Sequence, residues 1–149
     1  MRKNIASQPV LESLVTRIQS ARPECRRQWG TMNVQQMIVH LGDGSAAALG
    51  QRTFAARPRP GGTVIRFVAL YLLPRTPRGI KSGAEPAAKT VEPSAFATDR
   101  ERAIGLLRQL AAPGQQLAAA HPIFGKMSRG DWMRYAYLHV DHHLRQFGL

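Results

Sequence analysis

From Ser128 to Phe147 the chain runs without a proline, and it opens on a helix-start signal: Ser128 is followed three residues later by Asp131, the spacing of a capping box. Asp131 also suits the positive end of a helix dipole. The stretch predicts one unbroken helix of about five turns, with Trp132, Tyr135, Ala136, His139, His143 and Phe147 on one side. A helix with a single apolar side is marginal alone in water, so the rest of the chain must supply elements that cover that side.

Three such elements are legible upstream. Val10, Leu14 and Ile18, with Leu11 and Val15 beside them, recur at helical spacing between Pro9 and Ala21, and Pro23 ends that segment. Asn33 with Gln36 makes a second capping signal, followed by Val34, Met37, Ile38, Leu41, Ala48 and Leu49. Gly42, Gly44 and Gly50 cost about 1 kcal/mol each inside a helix, which predicts fraying or close packing there. Thr98 with Glu101 is expected to start a third helix, carried by Ala103, Ile104, Leu107 and Leu110 to Pro113-Gly114. Gln115 to Ala120 is expected to add another turn. With no hairpin signal, the expected fold class is all-α, a four-helix bundle in a single domain over residues 1–149. A chain of 149 residues with 44% hydrophobic content can bury such a core without disulfides.

Residues 51–97 fit none of these helices. They hold most of the prolines and one apolar run, Val64 to Leu73, and read as a long crossover between helices two and three with that run as a short helix or extended piece. The densest basic stretch, Arg52 to Lys81, lies here and contains no acidic residue. The formal net charge of +12 invites nucleic acid as a partner. Against that, the Arg residues are dispersed, and Phe54, Phe67 and Tyr71 sit in no RNP-like or helix-turn-helix pattern. The expectation is no specific nucleic-acid binding, and a basic loop or pocket rim that attracts small anions. No window reaches the roughly 20 apolar residues of a membrane span, and Met1 to Gln8 is followed by no apolar signal core. No membrane partner and a cytoplasmic location are expected.

The single cysteine, Cys25, excludes an internal disulfide and any multi-cysteine metal site, so metal chemistry falls to histidine and carboxylate. Three of the five His, His139, His142 and His143, sit on the last helix. His139 and His143 are four apart, about 6 Å along the axis, so both imidazoles leave one face and can reach one ion. His40, beside Met37, Leu41 and Gly44 on the second helix, qualifies as a third ligand. Three imidazoles leave a coordination position open and suit zinc, nickel or iron. The bland alternative is a set of core histidines with satisfied nitrogens. Asp43 and Gln146, each about a turn from a candidate ligand, are positioned to orient an imidazole or to be ordinary surface residues. His142 is expected to point away from the pair, at the solvent side or an interface. His121 reads as a loop residue bonding backbone or as a pocket-edge acid or base, and Tyr135 as a pocket residue. Trp29 and Trp132 read as core anchors. Val140 stands where a zincin helix needs its general-base Glu, so protease chemistry of that type is not expected. No nucleophile elbow or phosphate loop occurs.

The run Trp29-Gly-Thr-Met-Asn-Val-Gln-Gln-Met-Ile-Val-His40-Leu, then His121-Pro-Ile-Phe-Gly-Lys, then Trp132 through His139-Val-Asp-His-His143-Leu-Arg-Gln-Phe147-Gly, resembles the DinB-like superfamily. It is similar, more narrowly, to a branch of unknown reaction ending in HxxHHLRQFG. The resemblance runs from about Leu11 to Gly148. It implies a four-helix bundle holding a divalent metal through His40, His139 and His143, the set that spacing also nominates. It further implies thiol-dependent transferase or hydrolase chemistry with a small substrate or a low-molecular-weight thiol, in a homodimer; the basic crossover would favour an anionic substrate. The alternative from another class is a non-catalytic helical homodimer or partner-binding module with a vestigial or structural metal site.

Overall fold

The computed structural model describes residues 2–53, 61–79 and 95–149. The parts of the 51–97 crossover at 54–60 and 80–94, with Phe54, Arg57, Arg59 and Lys81, lie outside the described residues. Helices dominate: α1 (Gln8–Gln19), α2 (Val34–Ala48), α3 (Gly62–Phe67) running into a π-helical turn (Val68–Leu72), α4 (Phe96–Ala111), and α5 (Arg129–Gln146). Between α4 and α5 lies a two-stranded antiparallel ladder, β1 (Ala120–His121) and β2 (Gly125–Lys126), pairing His121 with Gly125. The extra helical turn expected at 115–120 does not form: 115–118 carry no regular structure, and the segment leads into β1 at Ala120.

The helix starts follow the side-chain signals at two of three places. Asn33 and Gln36 form a complete capping box on α2, and Ser128 and Asp131 form one on α5. Each satisfies two backbone N–H groups that would otherwise face nothing, typically worth about 1 kcal/mol. The expected Thr98 cap is not used. α4 starts at Phe96 after Ala95, without a side-chain cap, because Phe96 is buried in the core and draws the first turn two residues earlier. Asp99, then in the first turn, accepts a hydrogen bond from the Gln35 side chain of α2.

Glycines divide by position. Gly50 lies past the end of α2 at φ +72°, and the bonds Gly50 N–H to Ala47 C=O and Gln51 N–H to Ala46 C=O close a left-handed cap. Gly148 (φ +70°) does the same for α5, through bonds to Arg145 and Leu144 carbonyls. Gly42 is close packing instead: a Cβ there would stand 3.0 Å from the Arg102 guanidinium and 3.5 Å from the Ala103 backbone, where α2 crosses α4.

α2 packs on α4 and α5, and α1 packs on the same two helices. Their inner sides form one core, with Leu14, Ile18, Met37, Ile38, Leu107, Leu110, Trp132 and Leu144 among the completely enclosed side chains. α5 departs from the one-sided expectation, since Met133, Leu138, Val140 and even Arg134 and Asp141 are buried as well. Two segments cover its second side. Ile5 N–H donates to the Met133 carbonyl, and the Arg134 guanidinium donates to the carbonyls of Leu70 and Lys3, binding the N-terminal segment and the π-helical turn to α5. Asp141 is held by Arg17 from α1 and Arg145 on its own helix. Trp132 is fully enclosed, with its indole N–H on the Ala118 carbonyl. Trp29 is half-buried and not a core anchor: it lies across α5 between His142 and Arg78. No described helix is long and apolar enough to cross a membrane.

Candidate metal centre

His40 comes from α2, and His139 and His143 come from successive turns of α5. The packing of those two helices brings the three rings into mutual edge-to-face contact, with centroids 4.6 to 4.8 Å apart. The Nε2 atoms of His40 and His139 are 2.9 Å apart, and one ligand nitrogen from each of the three residues lies within 4.8 Å of the others. His143 is buried, while His40 and His139 keep part of their surface toward solvent, so the cluster sits at the edge of the interior.

All three imidazoles are held neutral. Burial pushes His40 down to about 4 against a weaker opposing pull from Asp43, and burial with the neighbouring His40 takes His143 to about 3. His139 lies well below its usual value, through burial and then the two flanking imidazoles. Neutral imidazole is the form that offers a lone pair to a metal. In the pair His40 and His139, one Nε2 carries a proton and donates it to the lone pair of the other, so the two nitrogens face the same space.

The tautomer of His143 is set by a residue whose orienting role the sequence left open. His143 Nδ1–H donates to Gln146 Oε1 at 2.7 Å, leaving Nε2 unprotonated and facing the cluster. Gln146 is in turn fixed from outside. A Cβ on Gly30 (φ +90°) would come within 2.7 Å of Gln146 Nε2, and the Gln28 N–H donates to the Gln146 carbonyl. The Trp29-Gly30 turn therefore needs glycine for its backbone angle and for the amide packed against it. Replacing Gln146 by alanine is expected to weaken zinc binding about 10- to 100-fold with helix content unchanged, as checked by calorimetric titration and circular dichroism.

Gly44 performs a similar service for His139. It stands one turn after His40, and a Cβ there would meet His139 Cε1 at 2.9 Å and Nδ1 at 3.3 Å. The helical glycine that looked unfavourable on propensity makes room for the His139 ring. Gly44→Ala is expected to displace His139, lowering metal affinity at least about tenfold and stability by roughly 1–3 kcal/mol, read from zinc titration and urea unfolding. The signal in the sequence was the glycine's i+4 spacing from His40, but only the partner helix shows what fills the space.

Other residues near the cluster do different things. Tyr135 lies flat on His139, with centroids 5.5 Å apart and planes 11° off parallel, and burial raises its hydroxyl to about 12, so it stays a donor. A cavity of about 10 Å³, room for one water, lies beside them, lined by Gly44, Ser45, Ala136 and Val140 as well. His121 packs edge-on against Tyr135, with centroids 4.9 Å apart, and its Nδ1 accepts the N–H groups of Ile123 and Phe124. The ring thus carries its proton on Nε2, and burial lowers it to about 4. Asp43 does not orient an imidazole: Arg52 and Arg102 occupy its carboxylate. His142 is buried rather than at the solvent side, because the Trp29 turn and the end of the crossover close over it; its ring meets Trp29 edge-on and its Nδ1 donates to the Thr76 carbonyl.

No curated protein and no solved structure matches this chain. A family model does: that of the DinB superfamily aligns with residues 5–147, from the N-terminal segment bonded to Met133 through Phe147, the core residue just past α5. With helices framing a His40, His139 and His143 cluster and a family match over nearly its whole length, the chain belongs to the DinB superfamily.

Proposed function

We propose that the protein is a metal-dependent enzyme, a single domain whose four long helices form a DinB-type bundle around a divalent ion held by His40, His139 and His143. The observation that carries this reading is the convergence of three neutral imidazoles, one with its tautomer set by Gln146, in a place that still touches solvent. The donor set fits zinc, nickel or iron, and three protein ligands are the number found where a metal does chemistry rather than only holding a fold. When bound, such an ion lowers the pKa of a coordinated water or captures a thiolate.

The chain's own residues supply the rest. Tyr135, protonated throughout the physiological range, is placed to donate a hydrogen bond beside His139. His121 positions that phenol by packing on its ring while tying the hairpin tip. The excess of Arg on the crossover favours a small anionic substrate or a low-molecular-weight thiol, and the reaction class is thiol-dependent transfer or hydrolysis.

The test is direct. Element analysis of tag-free protein should find close to one divalent metal per chain, and the zinc-, nickel- and iron-loaded forms should then be assayed for thiol transfer to a small electrophile and for ester and amide hydrolysis. Turnover that disappears in His143→Ala supports the reading. Absence of metal in protein prepared without chelators, with no uptake on addition, would leave the imidazoles as core residues and defeat it.

A further inference from the structure

The segment Val64 to Leu72 turns its apolar side chains outward. Val64, Ile65, Phe67, Val68 and Leu72 are 69%, 41%, 56%, 39% and 58% exposed, and among the described residues they are all of the large hydrophobic side chains classed as exposed. At 100° per residue these five fall on one side of the helix. The remaining side chains are committed: Leu70 is in the core, and Arg66 and Tyr71, the latter beside Phe67, reach Asp131. Contiguous exposed apolar side chains of this kind mark interaction sites more often than isolated ones do.

Among the described residues the charge beside this patch is mainly cationic. Arg75 follows it, Lys126 stands on the strand that packs against α3, and Arg134 links the Leu70 carbonyl to that of Lys3, which brings the Arg2-Lys3 segment alongside. The nearby acids are buried and engaged, Asp131 by Tyr71, Ser128 and Arg66, and Asp141 by Arg17 and Arg145. In the sequence no acidic residue occurs between Arg52 and Lys81.

We propose that this segment docks the protein on an anionic lipid surface. Phe67, Leu72 and Val64 enter the boundary between headgroups and acyl chains while the surrounding Arg and Lys meet the phosphates, the arrangement of an interfacial amphipathic helix. A second copy of the chain fits less well. Pairing two copies through this patch would bring two mainly cationic surfaces together. Polyanions without an apolar phase account for the cations but not for the five exposed apolar groups. The inference is independent of the metal centre.

The experiment is cosedimentation of the full chain with vesicles of phosphatidylcholine alone and with about 30% phosphatidylglycerol, at low and high salt. Expected are at least tenfold stronger partitioning onto the anionic vesicles, weakening at high salt, and at least a tenfold loss in the double variant Phe67→Ser, Leu72→Ser. Because both positions are exposed, circular dichroism should show that variant folded. In Phe67→Trp the indole emission should shift to the blue only when anionic vesicles are added. The proposal is overturned if neither vesicle binds the protein, or if the double variant binds as well as the parent. It is equally overturned if the indole is already blue-shifted without lipid. A dimer in analytical ultracentrifugation that the double variant abolishes would assign the patch to a second copy and overturn it too.

Discussion

His139→Ala is expected to lower zinc or nickel affinity at least about 100-fold, more than the loss of an outer-shell partner such as Gln146, because it removes one of three donors. His139 also has the central position: it shares a proton with His40, touches His143 ring to ring, and carries Tyr135 on its face. In the parent protein, free metal at about 100 times its dissociation constant stabilises by about 2.7 kcal/mol, a rise in melting temperature of roughly 5–10 °C for a domain of this size. The variant should show no resolvable rise at the same concentration. Differential scanning calorimetry with and without metal checks this, and circular dichroism separates lost binding from lost folding. An unchanged thermal shift in the variant would remove His139 from the ligand set.

Metal-free protein is expected to lose on the order of 5 kcal/mol of stability between pH 7 and pH 5, a large part of the roughly 5–15 kcal/mol available to an ordinary domain. The sign follows from the native pKa values. His40 and His121 lie at about 4 and His143 at about 3, and His139 is also depressed, each mainly because burial disfavours the charged ring. In the unfolded chain each titrates near the ordinary histidine value of 6.5. As pH falls below 6.5 the unfolded state takes up protons that the native state refuses, so stability is complete above that value and declines toward pH 4. Each unit of separation is worth about 1.4 kcal/mol per group, which makes four such groups the dominant acid liability of the fold. Urea midpoints at pH 7, 6 and 5 in the presence of chelator measure the effect; equal midpoints would show that these rings charge freely in the native state.

The long helices were readable because their information is local. Capping boxes at Asn33 and Ser128 act within four residues, and the apolar spacing of Leu14, Ile18, Met37, Ile38, Leu107 and Leu110 registers the side each helix must bury. The α4 start was misplaced because Phe96 is drawn into a core built by other segments, which overrides the weak signal of Thr98. The second buried side of α5 was hidden for a related reason. Met133, Arg134 and Asp141 look like a solvent side until the N-terminal segment, the π-helical turn and Arg17 are laid over them.

The three histidines divide in the same way. The i, i+4 spacing of His139 and His143 guarantees a shared face on any helix, and His40 with its apolar neighbours points inward by periodicity, so sequence by itself determined which imidazoles could meet. Tertiary structure decided how they meet. Gly44 faces the His139 ring, Gly30 presses the Gln146 amide, Asp43 is diverted to Arg52 and Arg102, and His142 is enclosed by the Trp29 turn. Those relations span tens of residues along the chain and depend on which surfaces come to rest against each other. Spacing on one helix fixes direction, but the space left between two helices is a property of both.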